Sequence, residues 1–119
     1  MKLSEIKEIL RAKVFVGEDK LDINVTAGAG SDLMSDLLRG PTGGVVLLSG
    51  LNNLQVIRTS IIAGVAALVL VRGKDPDQEM VAQARDHDLP LLSTPFTMFT
   101  ACGRLFRQGL LGVDRKASS

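Results

Sequence analysis

Aromatic residues are scarce in this 119-residue chain, which contains four Phe and neither Trp nor Tyr. Surfaces that stack RNA bases, bind sugars or resemble antibody paratopes rely on aromatic rings. The composition therefore argues against these three kinds of binding surface.

The chain also lacks a marked excess of either sign of charge, and it lacks long apolar runs. Fourteen basic residues stand against 13 acidic ones, which gives a formal net charge of +1. Such a balanced chain has no strong field to hold nucleic acid or an anionic membrane. The longest apolar run, Ile61–Val71, is far shorter than the roughly 20 residues that span a bilayer. We expect no nucleic-acid partner, no membrane contact and a cytoplasmic location.

Cysteine and histidine occur once each, as Cys102 and His87. A single cysteine excludes an intrachain disulfide and a cysteine-only metal cage, and it fits a reducing compartment. His87 stands between two aspartates near a predicted helix end, where an imidazolium suits the helix dipole better than a catalytic role. Cys102 stands among apolar residues and is predicted to be an inert core thiol. We therefore expect no metal and no cofactor.

Three short apolar runs, each ending in a small or polar residue, are the most informative feature present. They span Val45–Gly50, Ala67–Gly73 and Leu89–Ser93, and a helix-start signal follows each one. Such runs are typical of buried parallel strands joined by helices. The sequence predicts an α/β fold with three layers, in which helices flank a mostly parallel sheet. We expect one domain over residues 1–112 and a polar tail at 113–119.

The amino-terminal part predicts further elements. A helix capped by Ser4 is expected to end near Ala12, and a strand is expected at Lys13–Gly17. Alternating apolar residues within 21–29 indicate an edge strand, which Gly28 and Gly30 would break.

Capping residues predict where the other helices begin. Ser31 or Asp32 would cap one helix, and Asn52, Asp75 and Thr94 would cap the three that follow the apolar runs. Three- and four-residue spacing predicts their inward faces. These are Leu33, Met34, Leu37 and Leu38, then Val56, Ile57, Ile61 and Ile62, and last Phe96, Phe99, Leu105 and Phe106.

The carboxyl ends of parallel strands meet at one edge of a sheet, where α/β proteins bind ligands. Helix starts offer N–H groups and partial positive charge there, glycines let a ligand approach the backbone, and arginines add charge-assisted hydrogen bonds. The sequence predicts a site for a small anionic metabolite or nucleotide at this edge. Its residues are Ser49, Gly50, Asn52, Asn53, Arg58, Arg72, Gly73, Ser93 and Thr94.

These residues have simpler interpretations too. Helix capping alone would account for Asn52 and Asn53, and Arg58 could be an ordinary exposed residue. The hydroxyls of Ser93, Thr94, Thr97 and Thr100 could bind a ligand or satisfy the N–H groups of their own helix. Neither the Gly-Lys-Ser/Thr ending of a Walker loop nor a complete dinucleotide-binding glycine pattern occurs in the sequence.

Four segments together resemble the DRTGG domain family: Met1–Ile6, Leu48–Thr59, Gly64–Leu70 and Leu92–Thr100. The resemblance covers about residues 1–108. Such domains occur in some phosphate acetyltransferases, beside CBS modules in regulatory pyrophosphatases, and as small stand-alone proteins. The resemblance implies a fold similar to the amino-terminal domain of HPr kinase/phosphorylase, often dimeric, with a regulatory role and no established catalysis.

The motif for which the family is named is only partly present. Ile57-Arg58 stands where the family tends to show Asp-Arg, and Arg72-Gly73-Lys74 stands where it tends to show Thr-Gly-Gly. Arg58 and Gly73 are therefore the two positions that match.

Three functions fit these observations. The first is a non-catalytic regulatory or ligand-binding domain that forms a homodimer. The second is an assembly module without a ligand, whose interface lies around Ile61 and Ile62 or on Phe96–Phe106. The third is an enzyme that acts on a phosphorylated metabolite through Arg58 and Arg72. The sequence shows no clustered acid–base pair, so we favour the first function.

Overall fold

The computed structural model describes residues 1–32 and 42–113, and the predicted helix at 33–38 and the polar tail from 114 onward lie outside that range. Within the described ranges, a short 3₁₀ helix at Glu18–Lys20 accompanies nine α-helices and strands. In chain order these are α1 (Leu3–Leu10), β1 (Lys13–Val16), β2 (Ala27–Gly30), β3 (Val45–Ser49), α2 (Leu54–Ala63), β4 (Ala67–Leu70), α3 (Gln78–Asp86), β5 (Leu91–Ser93) and α4 (Met98–Arg107).

The five strands form one sheet in the order β1-β5-β4-β3-β2. Strands β2 to β5 run parallel, and β1 pairs antiparallel with β5. The register aligns Ser49 with Leu70, and Leu70 with Ser93, so three strands finish side by side. The predicted α/β fold and the shared carboxyl edge are both confirmed.

Helices cover both faces of the sheet, which explains why the central strands are apolar throughout. Side chains alternate along β3, so Val46 and Leu48 pack with α1 and α4. Leu47 points the other way and packs with α2 and α3. Every residue of β3 and β4 is buried.

The edge strand differs from the prediction. Strand β2 contains Gly28 and Gly30 instead of being broken by them. A Cβ atom added at Gly30 would lie 2.9 Å from Met98 Sδ and 3.0 Å from Cys102 Sγ. The glycines therefore belong to the strand because α4 packs directly against its backbone.

Helix α1 begins before the predicted cap, Ser4. Lys2 precedes the helix, and its N–H donates to Glu5 Oε1 at 3.0 Å. The N–H of Ser4 donates to the carbonyl of Leu21 at 2.7 Å, so a distant segment satisfies part of the first turn. The helix ends at Leu10 because Arg11 adopts a left-handed conformation with φ of 50°.

The other three helices begin later than predicted. Asn53 caps α2 in place of Asn52, Asp77 caps α3 in place of Asp75, and Thr97 caps α4 in place of Thr94. Each true cap accepts a hydrogen bond from the backbone N–H three residues on, as capping residues do. The loops after the strands are thus longer than the capping pattern suggested.

Several predicted inward positions face outward. Phe99 is 89% exposed and Phe106 is 65% exposed, whereas Ala101 and Leu105 form the buried side of α4. On α2, Ile62 is 76% exposed because the helix buries Ser60, about 200° away around its axis. The predicted inward positions Val56, Ile57 and Leu105 are buried, so the prediction is confirmed for part of each helix face and wrong for Ile62, Phe99 and Phe106.

Thr94 ties α1 to the end of β5. Its side chain is fully buried, and its Oγ1 donates to the carbonyl of Leu10 at 2.6 Å. That carbonyl lies in the last turn of α1, where backbone carbonyls have no N–H donor within the helix.

We expect Gly30→Ala to lower the free energy of unfolding by about 1–2 kcal/mol, because the added methyl overlaps Met98 and Cys102. Urea denaturation measures the effect. Gly43→Ala is the matched control, since a Cβ atom there meets nothing within 4 Å. Equal stability of the two variants would contradict close packing of α4 on β2.

We expect Thr94→Val to lower the free energy of unfolding by about 1–3 kcal/mol, because the buried Leu10 carbonyl loses its donor. Thr94→Ser keeps the hydroxyl and should retain most of the stability. The two variants are compared by urea denaturation. A valine variant as stable as the original chain would show that this hydrogen bond contributes nothing.

Candidate functional site

A crevice of about 410 Å³ opens at the carboxyl edge of the sheet. Its walls come from the end of β2, the loops after β3 and β4, and the first turn of α4. The residues that shape it include Gly30, Asp32, Gly50, Arg72, Met98 and Phe99. The crevice therefore lies at the carboxyl edge, as predicted, and α4 is the helix of the described ranges that begins beside it.

Asp32 organises the turn after β3. Its Oδ1 accepts hydrogen bonds from Ser49 Oγ at 3.1 Å and from the backbone N–H of Gly50 at 2.7 Å. Ser49 Oγ in turn accepts from the N–H of Leu51 at 3.2 Å. Sequence reasoning treated Asp32 only as a possible helix cap, because nothing local indicates its contact with residues 17 or 18 positions later.

Arg72 carries an exposed positive charge in the crevice. A Cβ atom added at Gly50 would lie 3.2 Å from Arg72 Nη2, so the guanidinium rests over a bare stretch of backbone. In the part of the chain that the structure describes, Arg72 forms no salt bridge. Its φ is 63°, a conformation that residues other than glycine rarely adopt. Strained residues of this kind cluster at functional sites.

Contacts with the loop before α4 hold this strained turn. The N–H of Arg72 donates to the carbonyl of Phe96 at 2.7 Å, and the N–H of Gly73 donates to the carbonyl of Thr94 at 2.8 Å. Lys74 Nζ donates to the carbonyl of Gly50 at 3.0 Å, although Lys74 itself does not line the crevice.

The nine predicted site residues fall into three groups. Gly50 and Arg72 line the crevice, and Gly73 follows directly. The hydroxyls of Ser49, Ser93 and Thr94 are buried and make hydrogen bonds within the fold, that of Ser93 to the Lys74 carbonyl. Asn52, Asn53 and Arg58 lie outside the crevice lining. Of these, Asn52 bonds to the Asp75 carbonyl, Asn53 caps α2, and Arg58 is exposed on α2.

Among the described residues, two charged side chains line the crevice, those of Arg72 and Asp32, and their formal charges cancel. The start of α4 adds a partial positive charge, because Met98 and Phe99 form its first turn and the N–H groups there carry that charge toward the crevice. Gly50 itself is buried, its N–H donates to Asp32 and its carbonyl accepts from Lys74, so its backbone polar groups are occupied within the fold.

The described residues offer no group of three His, Cys, Asp or Glu side chains arranged to hold a metal ion. Within the same residues, no helix has the length and apolar character required to cross a membrane.

His87 directly follows the last residue of α3, and its Nδ1 lies 3.0 Å from the carbonyl of Gln83, in agreement with its predicted place at a helix end.

An apolar groove of about 660 Å³ adjoins the crevice between α4 and β2. Its lining includes Gly28, Gly30, Met98, Phe99, Cys102 and Phe106. Cys102 is half-buried here, and burial raises the pKa of its thiol. The thiol is therefore less reactive than a free cysteine, although it lines a groove and not the closed core that the sequence predicted.

A crystal structure of the CBS and DRTGG domains of the regulatory region of Clostridium perfringens pyrophosphatase, complexed with the activator diadenosine tetraphosphate, has a similar fold. The TM-score is 0.77 at 21% sequence identity, and the match covers 98% of this chain and 51% of the other. The chain thus spans about half the length of that structure. None of the curated proteins matches it.

The DRTGG domain model matches residues 5–107, which is most of the chain. The two comparisons agree with the parallel sheet and with the four sequence segments described above. The chain belongs to the DRTGG domain family.

Proposed function

We propose that this chain is a non-catalytic regulatory domain that binds a small anionic ligand in the carboxyl-edge crevice. One observation carries the proposal. The guanidinium of Arg72, which forms no salt bridge with the described residues, lies over the backbone of Gly50 beside the first turn of α4. A guanidinium and helix N–H groups together form a strong arrangement for phosphate or carboxylate oxygens.

The local strain supports the same interpretation. For an L residue, the left-handed backbone conformation is less stable than the right-handed one by about 1–2 kcal/mol. Glycine would fit the Arg72 position with less strain, yet the chain keeps a long cationic side chain there. Ligand binding gives that side chain a role that the described fold does not.

A nucleotide is the anion that we favour. The similar pyrophosphatase region was crystallised with a nucleotide activator. In this chain, Arg72 and the start of α4 would take the place of a phosphate-binding loop. Ser49, Ser93 and Thr94 would support the crevice from within the fold, and Gly73 would follow Arg72 at its edge. Asn52, Asn53 and Arg58 would take no direct part.

A homodimer in the cytoplasm is part of this proposal. The exposed side chain of Ile62, next to the half-buried Ile61 on α2, supports a contact between two copies. Light scattering tests the oligomeric state. A monomer would remove the dimer from the proposal and leave the ligand site unaffected.

We expect Arg72→Ala to weaken binding of an inorganic anion such as tripolyphosphate by about 10- to 100-fold, the equivalent of one charge-assisted hydrogen bond. Calorimetry measures the dissociation constant. Arg107→Ala is the matched control, because Arg107 is equally exposed but lies at the opposite end of α4. If both variants lost the same affinity for tripolyphosphate, the anion would be held by nonspecific attraction, and this result would contradict a binding site at Arg72.

Asp32→Asn is expected to strengthen binding of the same anion by about 5-fold, because it removes a negative charge from the crevice. The asparagine oxygen can still accept from Ser49 and Gly50, so the turn should remain in place. Calorimetry at two salt concentrations tests this, since the gain should shrink at high salt. Unchanged affinity at low salt would place the anion outside the crevice.

A further inference from the structure

One short segment, Thr94–Phe96, joins the turn that carries Arg72 to the end of α1. It leads from the end of β5 toward α4. On one side of the segment, the carbonyl of Phe96 accepts from the N–H of Arg72 at 2.7 Å, and the carbonyl of Thr94 accepts from the N–H of Gly73 at 2.8 Å. The backbone at the anion crevice therefore depends on the position of this segment.

The other side of the same segment holds the end of α1. The buried hydroxyl of Thr94 donates to the Leu10 carbonyl at 2.6 Å. The guanidinium carbon of Arg104 lies 4.4 Å from the centre of the Phe96 ring, and Arg104 Nε donates to the Ile9 carbonyl at 2.8 Å. Both carbonyls lie in the last turn of α1, which offers them no N–H donor. The segment and the arginine beside it therefore complete this helix end.

Strained backbone lies at both ends of this linkage. Arg72 has a φ of 63°, and Arg11, directly after α1, has a φ of 50°. Such conformations are rare for residues other than glycine, and they persist only where the surrounding structure holds them. Phe96 contacts both residues, because its carbonyl accepts from the Arg72 N–H and its ring lies 5.9 Å from the Arg11 guanidinium carbon. One segment therefore supports two strained turns.

Contacts shared in this way make two regions open together. Folded proteins open locally in cooperative units, and a displaced Thr94–Phe96 segment would break the hydrogen bonds at Gly73 and at Leu10 in one event. A ligand that binds only the closed form suppresses such opening by mass action. An anion at Arg72 would thus stabilise the end of α1.

We propose that the Thr94–Phe96 segment transmits occupancy of the anion crevice to the carboxyl-terminal end of α1. This inference rests on the proposed anion site and adds the region that responds to it. Closure of the Arg72 turn and order at the end of α1 are one equilibrium, which the anion shifts toward the closed form. The surface that responds includes the exposed side chain of Arg11.

Amide hydrogen exchange measured by NMR tests the linkage, with tripolyphosphate as the probe. At about 100 times its dissociation constant, the anion should slow exchange of the Gly73 and Ala12 amides by about 10-fold or more. The Leu89 amide is the matched control and should keep its rate. Leu89 follows α3 as Ala12 follows α1, and each N–H donates to the carbonyl five positions earlier.

Thr94→Val separates the two ends of the linkage. It removes the hydroxyl that bonds to Leu10 and keeps the carbonyl that bonds to Gly73. In this variant, tripolyphosphate should still slow exchange at Gly73 by about 10-fold or more, but at Ala12 by less than about 2-fold. Thr94→Ser keeps the hydroxyl, is the matched control and should respond as the original chain does.

Arg104→Ala disturbs the linkage at a second point and does not depend on the folding of the valine variant. Without any anion, it should speed exchange at Ala12 and at Gly73 by the same factor, about 3-fold or more, because both amides open in one event. Arg85→Ala is the matched control, since Arg85 also donates to a backbone carbonyl, in β1. It should leave both rates unchanged.

Each result decides for or against the linkage. Slower exchange at Gly73 with no change at Ala12 in the original chain would overturn this inference and leave the proposed function standing. An equal effect at Leu89 would mean that the anion stabilises the whole fold, and a full effect at Ala12 in Thr94→Val would mean that the hydroxyl transmits nothing. Either result would overturn the inference alone. Failure of tripolyphosphate to bind would overturn the proposed function as well.

Discussion

The contact between α4 and the edge strand β2 is the constraint on which the rest of the site depends. Gly30 in β2 has no side chain to keep the helix away, and the sulfur atoms of Met98 and Cys102 fill that space, while Gly28 makes room for Leu110 just after the helix. This contact brings the first turn of α4 to the carboxyl edge of the sheet. It also creates the groove, because the helix meets a strand with little side-chain bulk of its own.

The loops at the carboxyl edge hold one another by a small number of hydrogen bonds. Asp32 at the end of β2 fixes the turn after β3, and Lys74 after β4 bonds to the backbone of that same turn. The Arg72 turn is held by carbonyls of the loop that leads into α4. Hydrogen bonds thus connect residues from four successive loops at this edge of the sheet.

The capping predictions show where local reasoning reaches its limit. Asn52 and Asn53 are both good caps, and Asp75 and Asp77 are both good caps, so the sequence alone does not choose between neighbours. Tertiary contacts decide which residue of each pair caps its helix. Asn52 donates to the Asp75 carbonyl, and Asp75 pairs with Lys13 of β1, which leaves the later residue of each pair to begin its helix.

By itself the sequence determined the α/β class, the three central parallel strands, their shared edge and the family. Those features follow from short-range patterns, namely buried apolar runs and the helix signals between them. Only the tertiary structure decided that Asp32 lines the crevice, that Ser93 and Thr94 are buried and bonded within the fold, and that Phe99 and Phe106 remain exposed. The physical reason is that these outcomes depend on contacts between residues far apart in the chain, and no local spacing encodes such contacts.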